Sequence, residues 1–138
     1  MANVREIDRD DDIYIGIRFP LDHSQEGFFY KTKTIREQVK SNIRNLLLTE
    51  KGERVFQSNF GTNLKSLLFE QITPSGLENI ENDIRESLST WLPYVNTNNL
   101  IVVQDDRNSN QVLISLEYST TLEPETLDTI TFTFEVGE

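Results

Sequence analysis

The period of the apolar residues changes once along this chain, and that change constrains the fold more than any other feature. Ile35, Val39, Ile43, Leu46 and Leu47 fall on one helical face. Leu77, Ile80, Ile84, Leu88 and Trp91 form a second helical stripe. From residue 100 the pattern is that of strands. The run Leu100-Ile101-Val102-Val103 comes first, then Val112, Ile114, Leu116 and Tyr118 at every second position, then Ile130, Phe132, Phe134 and Val136. Helices followed by an antiparallel meander make an α+β arrangement. The expected fold is two main helices packed on an antiparallel β-sheet.

Local signals place the ends of these elements. Thr34 with Glu37 three residues on is a capping-box pattern for the first helix, and Gly52 is its expected stop. Ser75 with Glu78 is the expected cap of the second, and Pro93 ends it by pushing Leu92 out of the helical region. Between them, Leu64 to Phe69 reads as a short helix. Residues 105–110, Asp-Asp-Arg-Asn-Ser-Asn, read as a turn, and a loop with Pro124 precedes the last strand. Upstream, Ile13, Ile15, Ile17 and Phe19 alternate with polar or small residues until Pro20, which predicts a short strand. Residues 1–12 end in Asp8-Arg9-Asp10-Asp11-Asp12, a solvated extended arm. The expected organisation is an N-terminal arm with a short strand over residues 1–27 and one domain over residues 28–138.

At 138 residues the chain is long enough for one real core. Its net charge of −10 argues against a nucleic-acid partner, because binding the phosphate backbone needs Lys and Arg to displace counterions. It argues equally against an anionic membrane surface, though not against a basic protein. With no cysteine there is no thiol chemistry and no Cys-based zinc site. No basic start followed by an apolar run marks a secretory leader, and no apolar run approaches the ~20 residues of a membrane span.

Few residues suggest catalysis. His23 is the single histidine and lies in a polar loop, so a Ser/His/Asp triad rests on nothing but its neighbours Asp22 and Ser24. Glycosidases need two carboxylates about 5–9.5 Å apart across a cleft. Glu50 with Glu53, or a pair among Glu78, Glu81 and Glu86, satisfies the residue type, but nothing marks one as desolvated. Glu81 and Arg85, at i,i+4, read as a surface ion pair. Asp105 and Asp106 lack the alternating ligands of a calcium loop, and Gly52 and Gly61 lack the phosphate-loop pattern. Glu53-Arg54 reads by itself as a solvated turn. Its functional alternative is an Arg54 fork holding a carboxylate, in this chain or on a partner.

Three segments taken in order narrow the reading. Lys51-Gly52-Glu53-Arg54, Asn59-Phe60-Gly61 and Leu68-Phe69-Glu70 resemble the Gly-Glu/Ser-Arg turn, the Phe-Gly turn and the Leu-Phe-Glu segment of one family. That family is the small lysozyme-like wedge subunit of contractile phage-tail baseplates, related to a baseplate component of type VI secretion systems. The resemblance runs from residue 34 to the C-terminus, more loosely from residue 28. It implies a structural assembly protein in the virion tail baseplate, put together in the host cytoplasm. It implies no enzymatic activity, no cofactor and no metal, with other wedge proteins and the tail sheath protein as partners. The family's Glu-Pro-Arg motif is replaced here by Leu92-Pro93-Tyr94, so only the proline carries over. An apolar contact through Leu92, Tyr94 and Trp91 is expected in place of the charged one. The family's old label leaves a peptidoglycan hydrolase as one alternative, and a secretion-system component as another.

The resemblance also implies a strand edge on which a sheath arm adds. The expected edge is the last strand. There Thr131, Thr133 and Glu135 face away from the core, and Glu135 limits self-pairing. With Glu53, Arg54, Leu92, Pro93 and Tyr94 they make up the candidate partner-binding residues.

Overall fold

The structure is a computed structural model and describes residues 14–18, 21, 31–70 and 73–135. His23, residues 1–12 of the predicted arm, Ile13 and Phe19 of its strand, the boundary between residues 27 and 28, and Val136 of the last strand lie outside the described residues. The chain divides into two compact units, Met1–Asn45 and Leu46–Glu138.

In the first unit, β1 (Gly16–Ile17) pairs antiparallel with β2 (Lys31–Thr32), joining Gly16 to Thr32 and Ile17 to Lys31. Helix α1 (Ile35–Leu48) starts where the capping box predicts. The Glu37 N–H donates to Thr34 Oγ1 at 3.2 Å, and the Glu37 carboxylate accepts from the Lys33 N–H at 3.1 Å. The reciprocal bond therefore goes to the residue before the cap. Thr32 Oγ1 donates to Gln38 Oε1 at 2.6 Å, and Gln38 Nε2 donates to Asn42 Oδ1 at 2.8 Å. This polar chain runs from the ribbon along the helix. Val39, Ile43, Leu46 and Leu47 are buried, as their spacing predicts.

The C-terminal end of α1 differs from expectation. Gly52 has a positive φ of 98°, but the helix stops four residues earlier, at Leu48. Thr49 and Glu50 leave the helix, and Glu50 forms a single parallel bridge with Thr62. The Thr62 N–H donates to Thr49 O at 2.9 Å, and the Lys51 N–H donates to Thr62 O at 3.1 Å. Thr62 Oγ1 also donates to Leu47 O at 3.2 Å, which satisfies a carbonyl at the helix end. A pairing fifteen residues away therefore decides the stop, and Gly52 serves the turn beyond it.

In the second unit, α2 (Leu64–Phe69) has the predicted bounds, with Leu64 and Leu68 buried. Helix α3 (Pro74–Trp91) is capped two residues before the predicted cap. Thr73, not Ser75, is the N-cap, and its hydroxyl accepts from the Gly76 N–H at 3.1 Å. Pro74 stands at the first helical position, where its missing N–H costs nothing and its fixed φ suits the helix. Trp91 is the last helical residue and is half-buried, its ring meeting Phe60 edge-on at 5.2 Å.

The sheet has the order β3-β4-β5, antiparallel throughout. Its strands are β3 (Val95–Gln104), β4 (Gln111–Thr120) and β5 (Asp128–Glu135). Register puts Leu100, Leu116 and Ile130 in one row, and Val102, Ile114 and Phe132 in the next. These rows form the core face; α3 packs against β3 and buries Ile80, Ile84 and Leu88. Each such aliphatic side chain contributes about 1.5–3 kcal/mol on burial. The other face carries Ile101, Ser115 and Thr131, then Val103, Leu113 and Thr133. Residues 105–110 form the predicted turn, with Asp105 Oδ1 accepting from the Arg107 N–H at 2.9 Å. The fold is α+β, as the change of period predicts.

Candidate functional site

Two of the three family-like segments, Lys51–Arg54 and Asn59–Gly61, meet around one turn, while Leu68-Phe69-Glu70 lies at the end of α2. The Glu53 carboxylate accepts from the Glu50 N–H at 3.3 Å and lies 3.7 Å from Lys65 Nζ. Arg54 sets its guanidinium 3.9 Å from the Phe60 ring centroid, and Nη1 donates to Gln57 Oε1 at 3.2 Å. Phe60 is buried and stands between Arg54 and Trp91. The planar cation covers one ring and the indole meets it edge-on, two contacts that the aromatic quadrupole favours. Among the described residues the Arg54 fork engages an aromatic ring and an amide, not a carboxylate.

Helix α3 ties this turn down from below. The Asp83 carboxylate accepts from the Asn63 N–H at 2.9 Å and lies 3.9 Å from Lys51 Nζ. Ser87 Oγ donates to Gly61 O at 3.2 Å. Gly61 has φ of 117°, and a Cβ there would collide with the carbonyl oxygen of Thr49. Sequence reading passed over Asp83, Ser87 and Thr62. The available signal was a serine and an aspartate interleaved with the apolar stripe of α3. It also passed over Val55 and Phe56, which form an apolar tip 89% and 98% exposed beside Arg54.

The remaining candidates divide. Leu92 is buried at the end of α3, its N–H donating to Leu88 O and its carbonyl accepting from the Val95 N–H. Pro93 is exposed and Tyr94 half-buried, with Tyr94 O accepting from the Thr121 N–H at 3.0 Å. Of the three residues expected to make an apolar contact, Leu92 lies in the core, and Trp91 and Tyr94 are half-buried. Thr131, Thr133 and Glu135 are exposed on β5 and opposite in direction to Ile130 and Phe132. Glu135 accepts from Gln111 Nε2 at 3.4 Å. Among the described strands, β5 pairs with β4 alone.

The acid pairs lie in ordinary surroundings. Glu81 holds Arg85 at 3.0 Å, the predicted surface pair. Glu50 Oε1 accepts from Ser66 Oγ at 3.3 Å, and the Glu53 side chain is 50% exposed. No group of three or more metal-ligating side chains occurs among the described residues. No described helix is long and apolar enough to cross a membrane.

Comparison with known proteins places this turn and sheet. Baseplate wedge protein gp25 of Enterobacteria phage T4 is 27% identical over 94 residues, which are 67% of this chain and 69% of that protein. A crystal structure from Geobacter sulfurreducens, named for a tail lysozyme, superposes with a TM-score of 0.70 at 26% identity, over 78% of this chain and 96% of the other. A chain of the type VI secretion baseplate complex shares the fold, with a TM-score of 0.60 at 14% identity over 73% of this chain and 93% of the other. The family described as Baseplate wedge protein gp25 matches residues 33–125, from just before the α1 cap to beyond β4. The chain belongs to the gp25 family of baseplate wedge proteins.

Proposed function

We propose that this chain is a non-enzymatic wedge subunit of a contractile-tail baseplate, and that it joins the baseplate core to the first ring of sheath. It assembles in the host cytoplasm with other wedge proteins and resides in the virion tail. The observation that carries the sheath role is β5. It is an antiparallel strand paired on one side among the described strands, in a chain of a baseplate family. Such an edge presents unpaired N–H and C=O groups that an extended sheath segment completes. Glu135 near its end disfavours pairing with a second copy and suits a basic strand.

The tight turn supplies the second contact. Glu53, Arg54, Pro93 and Tyr94 lie on the two segments that match or replace family motifs. Arg54, held over the Phe60 ring, keeps the rest of its fork for a carboxylate of a neighbouring wedge protein. A hydrolase reading requires a desolvated carboxyl facing a second one. Glu53, half exposed and beside Lys65, does not meet that requirement.

The test is strand addition. Thr133→Pro removes one backbone donor from β5 without touching the core face. After circular dichroism and cooperative melting show a native fold, the variant is mixed with the sheath protein encoded with it. Loss of sheath nucleation is expected. Wild-type nucleation by the folded variant would move the edge elsewhere, with β1 (Gly16–Ile17) the next candidate.

A further inference from the structure

The acidic balance of the chain hides a cationic groove. Arg18, Lys31, Lys33, Lys40 and Arg44 line a concavity of about 540 Å³ with Glu37 and Ser41. Five basic side chains thus converge on one surface of a chain whose net charge is −10. The volume lies within the ~300–1,000 Å³ usual for ligand pockets. All seven residues belong to the first compact unit.

The groove is built rather than incidental. Its floor is α1, where Glu37, Lys40, Ser41 and Arg44 recur at three- and four-residue intervals and so share one helical face. Its other wall is the β1–β2 ribbon, with Lys31 on β2 and Arg18 directly after β1. Lys31 Nζ and Lys33 Nζ lie 4.6 Å and 5.5 Å from the Tyr14 ring centroid. That ring fixes two of the five cations without neutralising them. Glu37, a carboxylate among the described lining residues, accepts from the Lys33 N–H at the start of α1.

We propose that this groove binds an acidic peptide segment of a partner protein. Charge complementarity identifies the class of ligand. The span identifies its size, since residues 37 to 44 of a helix cover about 10 Å, which an extended strand crosses in about three residues. A single small anion meets only one or two of these cations. A nucleic acid extends well beyond 10 Å, and the remainder of the chain is more acidic still. A run of three consecutive carboxylates matches the groove in length and charge. This site is separate from the β5 edge and does not depend on it.

The test uses the full chain and a fluorescein-labelled peptide with three central glutamates flanked by Gly-Ser-Gly on both sides. Its partner probe has three glutamines instead. Anisotropy is expected to show the glutamate peptide binding at least about tenfold more tightly, with the difference shrinking between about 0.05 M and about 0.2 M salt as screening increases. The double variant Lys33→Gln/Arg44→Gln is expected to lose about tenfold in affinity, while Arg107→Gln keeps wild-type binding. Amide shift mapping on the wild-type protein checks the location without relying on a variant. Shifts induced by the peptide should concentrate in residues 31–44. Equal binding of the two peptides, or shifts centred outside that range, would overturn the proposal. So would an oligothymidine of matched length that displaces the peptide at lower concentration, since the groove would then be a phosphate site.

Discussion

Arg54 and Phe60 form a stacked pair, the guanidinium carbon 3.9 Å from the ring centroid, with Trp91 closing on the same ring from 5.2 Å. A charged turn is thereby joined to the end of α3 through one buried aromatic side chain. The family-like Gly-Glu-Arg and Phe-Gly segments are thus two halves of a single contact, separated by an exposed tip at Val55 and Phe56.

That pairing makes Arg54 more demanding than an ordinary surface arginine. Lysine is a compact point charge and cannot stack a planar fork on Phe60 while donating to Gln57. Arg54→Lys is expected to lower stability by about 0.5–1 kcal/mol. Arg107→Lys, in the exposed turn between β3 and β4, should stay within about 0.5 kcal/mol of wild type. Urea melts of the two variants compare stability, and assembly with wedge partners compares function. Indistinguishable behaviour in both assays returns Arg54 to a plain solvated role.

The two glycines of the turn should respond differently to the same change. Both have positive φ, 98° at Gly52 and 117° at Gly61. Gly52 has open space where a Cβ would go, whereas at Gly61 the Thr49 carbonyl blocks it. Gly52→Ala is expected to cost about 1–2 kcal/mol, from backbone strain alone. Gly61→Ala adds a steric clash with the bridge that ends α1, and should cost about 2 kcal/mol more than Gly52→Ala. Equal melting midpoints would show that the Thr62–Thr49 backbone hydrogen bond is easily displaced.

Thr73 and Ser75 offer a direct test of which residue caps α3. Thr73→Ala removes the acceptor of the Gly76 N–H and is expected to cost about 1 kcal/mol. Ser75→Ala lies within the first turn and should change stability by less than about 0.5 kcal/mol. A larger loss at Ser75 in thermal melts would reverse the assignment.

Purified protein should not clear peptidoglycan. Glu50 and Glu53 already serve Ser66, Lys65 and the turn backbone, and neither faces a desolvated partner carboxyl. Turbidity followed from acidic to neutral pH is expected to stay flat. Clearing that a single Glu or Asp substitution abolishes would establish a hydrolase instead.

Much of the architecture was legible in local chemistry. The α1 capping box, the bounds of α2, Pro93 after α3 and the alternation of β4 and β5 follow from side-chain period and caps, which act over a few residues. The family-like segments were legible for the same reason, being short and ordered. Residues 95–99, Val-Asn-Thr-Asn-Asn, were not legible as strand, because asparagine disfavours β structure. Pairing with residues 117–120 of β4, across a shift between Thr97 and Asn99, holds them extended.

The amino-acid sequence by itself determined the order and kind of elements, because hydrophobic period and capping are local properties that any compact fold must respect. Tertiary structure decided where α1 ends, which residue Arg54 stacks on, and that Leu92 turns inward. It alone brought Arg18 and Lys31 beside Lys40 and Arg44. The helix stop depends on a contact between residues far apart in the chain. Arg54 and Phe60 are only six residues apart, but the turn that brings them together is held by distant Ser87 and Asp83. The free energy that selects each contact exists only once its partners are buried or paired.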